Sequence, residues 1–115
     1  MSEIFVDGSG FNGYESKFCV VFADGKSEIK TFKANRSNNE MEYEAVIYAL
    51  EKCDKNSIIY TDSQLVIHQV LGDWKVKQSH LLKLKARASN LIREKNATLR
   101  YIPRDKNLAG NLLEK

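Results

Sequence analysis

A chain of 115 residues with 43% hydrophobic and 29% charged residues has the composition of one globular domain, long enough to bury a core and too short for a second catalytic module. Its net charge of +3 and pI of 8.8 permit nucleic-acid binding without requiring it, so the placement of the charges matters more than their sum. The opening residues lack the basic start and apolar run of a secretory leader, and no stretch of about 18 apolar residues is present, so a cytoplasmic domain over 1–115 with no membrane partner is expected. Cys19 and Cys53 stand far apart and read as buried, reduced thiols.

The chain opens with two strand-like runs, 3–7 and 17–23, rich in β-branched and aromatic residues, with Gly8, Gly10 and Gly13 between them. The Asp24-Gly25 pair is a hairpin signal that leads into a third strand over 27–33, making an antiparallel meander. Asn38 and Asn39, both cap-type residues, precede a strong helix over 40–51. A short apolar strand at 57–61 follows, then a helix over 63–71 ended by Gly72. Leu81, Leu84, Ala88 and Leu91 recur at helical spacing over about 79–94. A last strand at 97–102 is broken by Pro103, and 107–114 reads as a short terminal helix. Together these predict an α/β fold with a five-stranded mixed sheet, three antiparallel strands followed by two parallel ones, flanked by helices.

Three acids occupy strategic places in that pattern. Asp7 and Asp62 each close an apolar strand, so adjacent parallel strands would bring them together where ligands gather in such sheets. Glu42 precedes Ala45, Val46 and Ala49 at helical spacing and leans towards the core-facing stripe, whereas Glu44 and Glu51 share a polar side with Lys55. Taken singly, each has an ordinary explanation: a turn pair at Asp7-Gly8, a solvated helix acid at Glu42, a helix cap at Asp62. Converging carboxylates repel one another without a cation, so jointly they point to a divalent-metal site.

The segments Val6-Asp7-Gly8-Ser9, Asn38-Asn39-Glu40-Met41-Glu42, Tyr60-Thr61-Asp62-Ser63-Gln64 and Asn107-Leu108-Ala109-Gly110-Asn111 resemble, in order, the motifs of type 1 ribonuclease H. The resemblance runs from Ile4 almost to the C-terminus. It implies a ribonuclease H-like fold and hydrolysis of the RNA strand of RNA-DNA hybrids to 5'-phosphate and 3'-hydroxyl ends; a monomer is the expected form. It also implies a pair of Mg²⁺ ions, with Mn²⁺ as a substitute, bridged by Asp7 and completed by Glu42 and Asp62. Glu42 would further sense the adjacent ribose hydroxyl. Such ions take oxygen ligands and need no histidine or cysteine cluster.

Two departures stand out. The family usually carries a fourth aspartate where this chain has Asn111, whose amide oxygen can still meet a hard cation but brings no charge; weaker occupancy and a preference for Mn²⁺ follow. The histidine often found before the terminal motif is missing, and Arg104 is the residue there able to contact phosphate. His68 and His80 read as packing or surface residues. These departures keep open an alternative, a weakened or inactive hybrid-binding module. A DNA exonuclease of the same superfold is disfavoured, because Asp7-Gly8-Ser9 supplies no Asp-x-Glu pair.

For substrate, Asn38, Asn39 and Gln64 match family positions that reach minor-groove edges and ribose hydroxyls. Gly8 and Ser9 let the backbone near Asp7 approach the scissile strand, and Asn12 is a candidate for a DNA phosphate. Trp74, Lys75 and Lys77, with Lys83, Lys85 and Arg87 beyond, form an aromatic and basic cluster suited to the DNA strand. The connection holding them is too short for the long basic protrusion of some family members.

Overall fold

The computed structural model describes residues 2–114; Met1 and Lys115, the two ends of the expected domain, lie outside the described residues. Five strands form one sheet in the order β3-β2-β1-β4-β5, comprising β1 (Glu3–Ser9), β2 (Ser16–Val21), β3 (Ser27–Phe32), β4 (Ile58–Thr61) and β5 (Thr98–Tyr101). The first three run antiparallel, and β4 and β5 join β1 in parallel, as the sequence pattern predicts. Four helices accompany them: α1 (Asn38–Lys52), α2 (Gln64–Leu71), α3 (Ser79–Lys95) and α4 (Leu108–Leu113).

Alternation along β1 and β2 gives the sheet two different faces. Ile4 and Val6 of β1, with Phe18 and Val20 of β2 and Ile59 of β4, meet Tyr43, Val46, Ala49 and Leu50 of α1 in the main core. Each such large side chain taken fully out of water contributes about 1.5–3 kcal/mol. Because α1 packs on the sheet on one side and on α3 on the other, it is buried nearly all round. A buried hydrogen bond from the Tyr43 hydroxyl to Gln69 Oε1 (2.7 Å) ties α2 to it. The opposite face carries a smaller cluster, Cys19 and Val21 with Ala109 and Leu113 of α4. Both cysteines are free and buried, as the sequence suggests.

Several boundaries differ from the sequence expectation, each for a local reason. β1 continues past Asp7 to Ser9, because Gly8 and Ser9 still pair with Phe18 and Lys17 of β2. The N-cap of α1 is Ser37, whose hydroxyl accepts from Glu40 N (3.1 Å), so Asn38 and Asn39 lie within the first turn. Ser63 caps α2 instead of starting it, accepting from Val66 N (3.2 Å). Gly72 ends α2 in the left-handed region, its N–H donating to the carbonyls of His68 and Gln69. A 3-10 turn at Arg104–Lys106, absent from the sequence expectation, links β5 to α4, which Asn107 caps. Among the described residues no helix is long and apolar enough to cross a membrane.

Candidate active site

The last rung joining β1 to β4 pairs Phe5 with Tyr60. Asp7 stands two residues further along β1 and Asp62 just past the end of β4, so the parallel register that ends at this rung delivers both acids to the same edge of the sheet. Beyond that rung the strands part company: β1 runs on beside β2, while β4 stops at Thr61. A cleft of about 300 Å³ opens there, lined by Asp7, Gly8, Ser9, Asn38, Asn39, Glu42, Asp62, Ser63, Arg104, Leu113 and Glu114. Glu42 reaches it from the second turn of α1, and one carboxylate oxygen from each of the three acids falls within 4.8 Å of the others.

Close backbone approach makes this convergence possible. A Cβ on Gly8 would stand 2.4 Å from the Met41 carbonyl carbon and 2.5 Å from Glu42 N, and one on Gly10 would stand 2.6 Å from Asn38 N. The missing side chains let β1 lie directly against the start of α1. Gly8 N then donates to Glu42 Oε1, and Gly10 N to Asn38 Oδ1. On the other side Gly110 of α4 sits over Asp7, where a Cβ would be 3.3 Å from Asp7 Oδ2.

The electrostatics follow from the crowding. Glu42 is only 7% exposed. Its burial, and then the charges of Asp7 and Asp62, push its carboxyl up to about 9. Asp7 rises to about 6, first through burial and then through Asp62, against the downward pull of a hydrogen bond with Glu42, the Arg104 charge and the Gly8 N–H. Burial, then the nearby Asp7 carboxylate, raises the Cys19 thiol to about 11, so it is an inert neighbour. Burial, reinforced by the neighbouring carboxylates, keeps the proton on Glu42 through neutrality, and a cation would displace it; an all-oxygen donor set suits a hard divalent ion. The residues present therefore fit such an ion.

The other expected site residues divide. Gly8, Ser9, Asn38, Asn39 and Arg104 line the cleft; Arg104 Nε also lies 3.6 Å from Glu114 Oε1 at its mouth. Asn111 is on the exposed side of α4 and is not among the lining residues, while Gln64 is exposed at the start of α2. Asn12 is turned to its own loop, where Oδ1 accepts from Tyr14 N and Glu15 N, both at 2.9 Å. Trp74, Lys75 and Lys77 are exposed outside the cleft, in the α2–α3 connection. The Trp74 ring stacks on His68 at 4.4 Å, and His68 Nδ1 lies 3.0 Å from Asp73 Oδ2, so His68 is a packing partner as the sequence suggests. Sequence reasoning missed Ser63, Leu113 and Glu114 as lining residues and gave Asn107 no role at the site. The available signal was that Asn107 directly precedes a short helix.

A mixed sheet of this order, with carboxylates gathered where β1 and β4 diverge, defines an acid-centred α/β cleft suited to a hard divalent cation. The RNase H family profile matches residues 1–112, and the chain belongs to that family, in its type 1 branch. It is 30% identical over 111 residues to the bifunctional protein Rv2228c of Mycobacterium tuberculosis, an alignment covering 92% of this chain and 29% of that one. The chain thus spans under a third of the curated relative's length. Among solved structures it resembles RNase H1 of the archaeon Halobacterium salinarum NRC-1, with a TM-score of 0.85, 25% identity, and coverage of 97% of this chain and 92% of that one. It also resembles LC11-RNase H1 in complex with an RNA/DNA hybrid, with a TM-score of 0.78, 28% identity, and coverage of 98% and 93%.

Proposed function

We propose that this chain is an endonuclease that hydrolyses the RNA strand of RNA-DNA hybrids with a pair of divalent cations, leaving 5'-phosphate and 3'-hydroxyl ends. The observation that carries the reading is the convergence of Asp7, Glu42 and Asp62 within 4.8 Å in a chain of the RNase H family. Binding of an RNA/DNA hybrid by the similar LC11-RNase H1 supports the choice of substrate.

Asp7, Glu42 and Asp62 would hold the cations, with Asn111 as an outer contributor from α4. Mg²⁺ is the expected ion and Mn²⁺ a working substitute. When bound, the ions supply an activated water and compensate charge on the scissile phosphate and the leaving oxygen. The protein's own part is positioning. Asp7 and Asp62 are brought to one edge of the sheet by adjacent parallel strands, and Glu42 is braced by the Gly8 N–H. Asn38 and Asn39 present amides at the rim for ribose hydroxyls, and Arg104 adds positive charge where a phosphate would enter. Gly8 and Ser9 line the cleft, where the RNA strand would pass close to the backbone. Trp74, Lys75 and Lys77 would meet the DNA strand, joined by Gln64 and Asn12 at the periphery. All three acids come from one chain, which supports a monomer as the active form, and we place it in the cytoplasm.

The exposed Asn111, in place of an acid, favours a second reading as a weakened or non-cleaving hybrid-binding module. One experiment separates the two: a labelled hybrid incubated with the protein in Mg²⁺ or Mn²⁺, beside the Asp7→Asn variant. Cation-dependent cutting of the RNA strand that the variant loses supports the nuclease. Hybrid binding with no cutting in either ion supports the module.

A further inference from the structure

We propose that Asn107 is a positioning residue for the cation site, holding Asp62 in its working orientation by replacing a strand rung with a side chain. The inference rests on reading the cleft as a cation-dependent nuclease site and names a residue that this reading left without a role.

Asn107 is completely buried, and all its side-chain polar atoms are engaged. Nδ2 donates to Val6 O at 2.9 Å and to Asp62 Oδ2 at 3.1 Å, while Oδ1 accepts from Ala109 N at 3.1 Å. Its carbonyl also accepts from Asn111 N at 3.0 Å. The backbone ladder between β1 and β4 ends at Phe5 and Tyr60. One residue beyond that rung on β1, and two beyond it on β4, the Asn107 amide bonds Val6 and Asp62 at once. It therefore continues the tie between the strands past the point where their backbones stop pairing.

Capping alone does not account for an asparagine here. Ser, Thr or Asp caps a helix about as well, because the cap needs only an acceptor. What asparagine adds is a pair of donors on one nitrogen, and both are spent on the acid-bearing strands. The donor is also neutral. Lys or Arg in its place would orient Asp62 but cancel the charge a cation needs, and Asp would repel it. Outer partners of this kind usually change metal affinity or activity by about 10- to 100-fold when removed.

The test compares the unsubstituted protein with Asn107→Ser, which keeps a cap acceptor but is too short to hold both strands. Three measurements are made: Mn²⁺ binding to nucleic-acid-free protein by calorimetry, the Mg²⁺ concentration giving half-maximal hybrid cleavage, and Tm. The proposal expects roughly 10- to 100-fold weaker Mn²⁺ binding and a matching rise in the Mg²⁺ requirement. KM for hybrid at saturating metal should stay unchanged. Leu91→Ala, a core truncation in α3, should lower Tm without moving the metal dependence. Mn²⁺ binding within twofold of the unsubstituted protein in folded Asn107→Ser overturns the proposal while leaving the nuclease reading intact. An unsubstituted protein that neither binds Mn²⁺ nor cuts hybrid overturns both. Should Asn107→Ser not fold, nuclear magnetic resonance of the unsubstituted protein decides: side-chain amide protons of Asn107 that exchange slowly and shift on Mg²⁺ addition support the role, and fast exchange or no shift overturns it.

Discussion

The cleft and the α2–α3 corner are built on opposite principles. In the cleft, the three clustered acids are placed by the packed frame: the ends of adjacent parallel strands for Asp7 and Asp62, and a helix pressed against glycine for Glu42. At the corner, Trp74 is 45% exposed and leans on His68, while Lys75 and Lys77 project into solvent. Chemistry that depends on fractions of an ångström needs the first arrangement; adaptable attraction to a phosphate backbone needs only the second. The contrast implies that substitutions in the cleft change turnover or folding sharply, and that those at the corner change affinity gently.

The largest effect is expected at Asp7. Asp7→Asn should lower hybrid cleavage on the order of a thousand-fold, about 4 kcal/mol of transition-state stabilisation. The same variant relieves charge crowding, so its Tm in metal-free buffer should rise. A fall in both activity and Tm would mean that Asp7 is structural.

Gly8→Ala comes next, because the new methyl meets α1 backbone at 2.4 Å and cannot be relieved by rotating a side chain. A loss of about 1–3 kcal/mol in denaturant unfolding is expected, whereas an unchanged midpoint would show that β1 and α1 are free to separate.

The pH response follows from the raised carboxyls. Folded, Glu42 keeps its proton to about 9, against an ordinary value of 4.5. Its contribution to stability is therefore full below about pH 4.5 and is lost as pH rises through 9. Asp7 behaves likewise, between its ordinary 3.8 and about 6. Because a cation competes with these protons, the rise in Tm on adding Mg²⁺ should be larger at pH 8.5 than at pH 5.5. Equal rises, read by differential scanning calorimetry, would contradict the coupling.

Much of this contrast is legible in the sequence. Asp7 and Asp62 follow short apolar strands, and the spacing of Ala45, Val46 and Ala49 turns Glu42 inward, so the acid cluster and sheet order are readable from local patterns. What escapes is set by distant partners. The extension of β1 to Ser9 depends on β2, and Asn107 bonds Val6 across 101 residues of sequence. Of Ser37, Asn38 and Asn39, all suited to capping, Ser37 takes the role in a structure where Asn38 Oδ1 is held by Gly10 N.

Two smaller effects are expected, at Asn111 and at Lys75. Asn111→Asp should lower the Mg²⁺ concentration for half-maximal cleavage several-fold by adding charge near the cluster, on the order of 1 kcal/mol; unchanged metal dependence and turnover would remove Asn111 from the site. Smallest of all, Lys75→Ala should weaken hybrid binding by a few-fold at low salt and reduce the slope of log affinity against log salt by about one, with kcat unaltered. A salt slope identical to that of the unsubstituted protein would move the DNA strand elsewhere.

The most direct measurement is anomalous scattering from crystals equilibrated with Mn²⁺. A peak is expected within coordination distance of carboxylate oxygens from Asp7, Glu42 and Asp62, lost in crystals of Asp7→Asn. Saturating Mn²⁺ with no peak at the cluster, in a protein that nonetheless cuts hybrid, would contradict it.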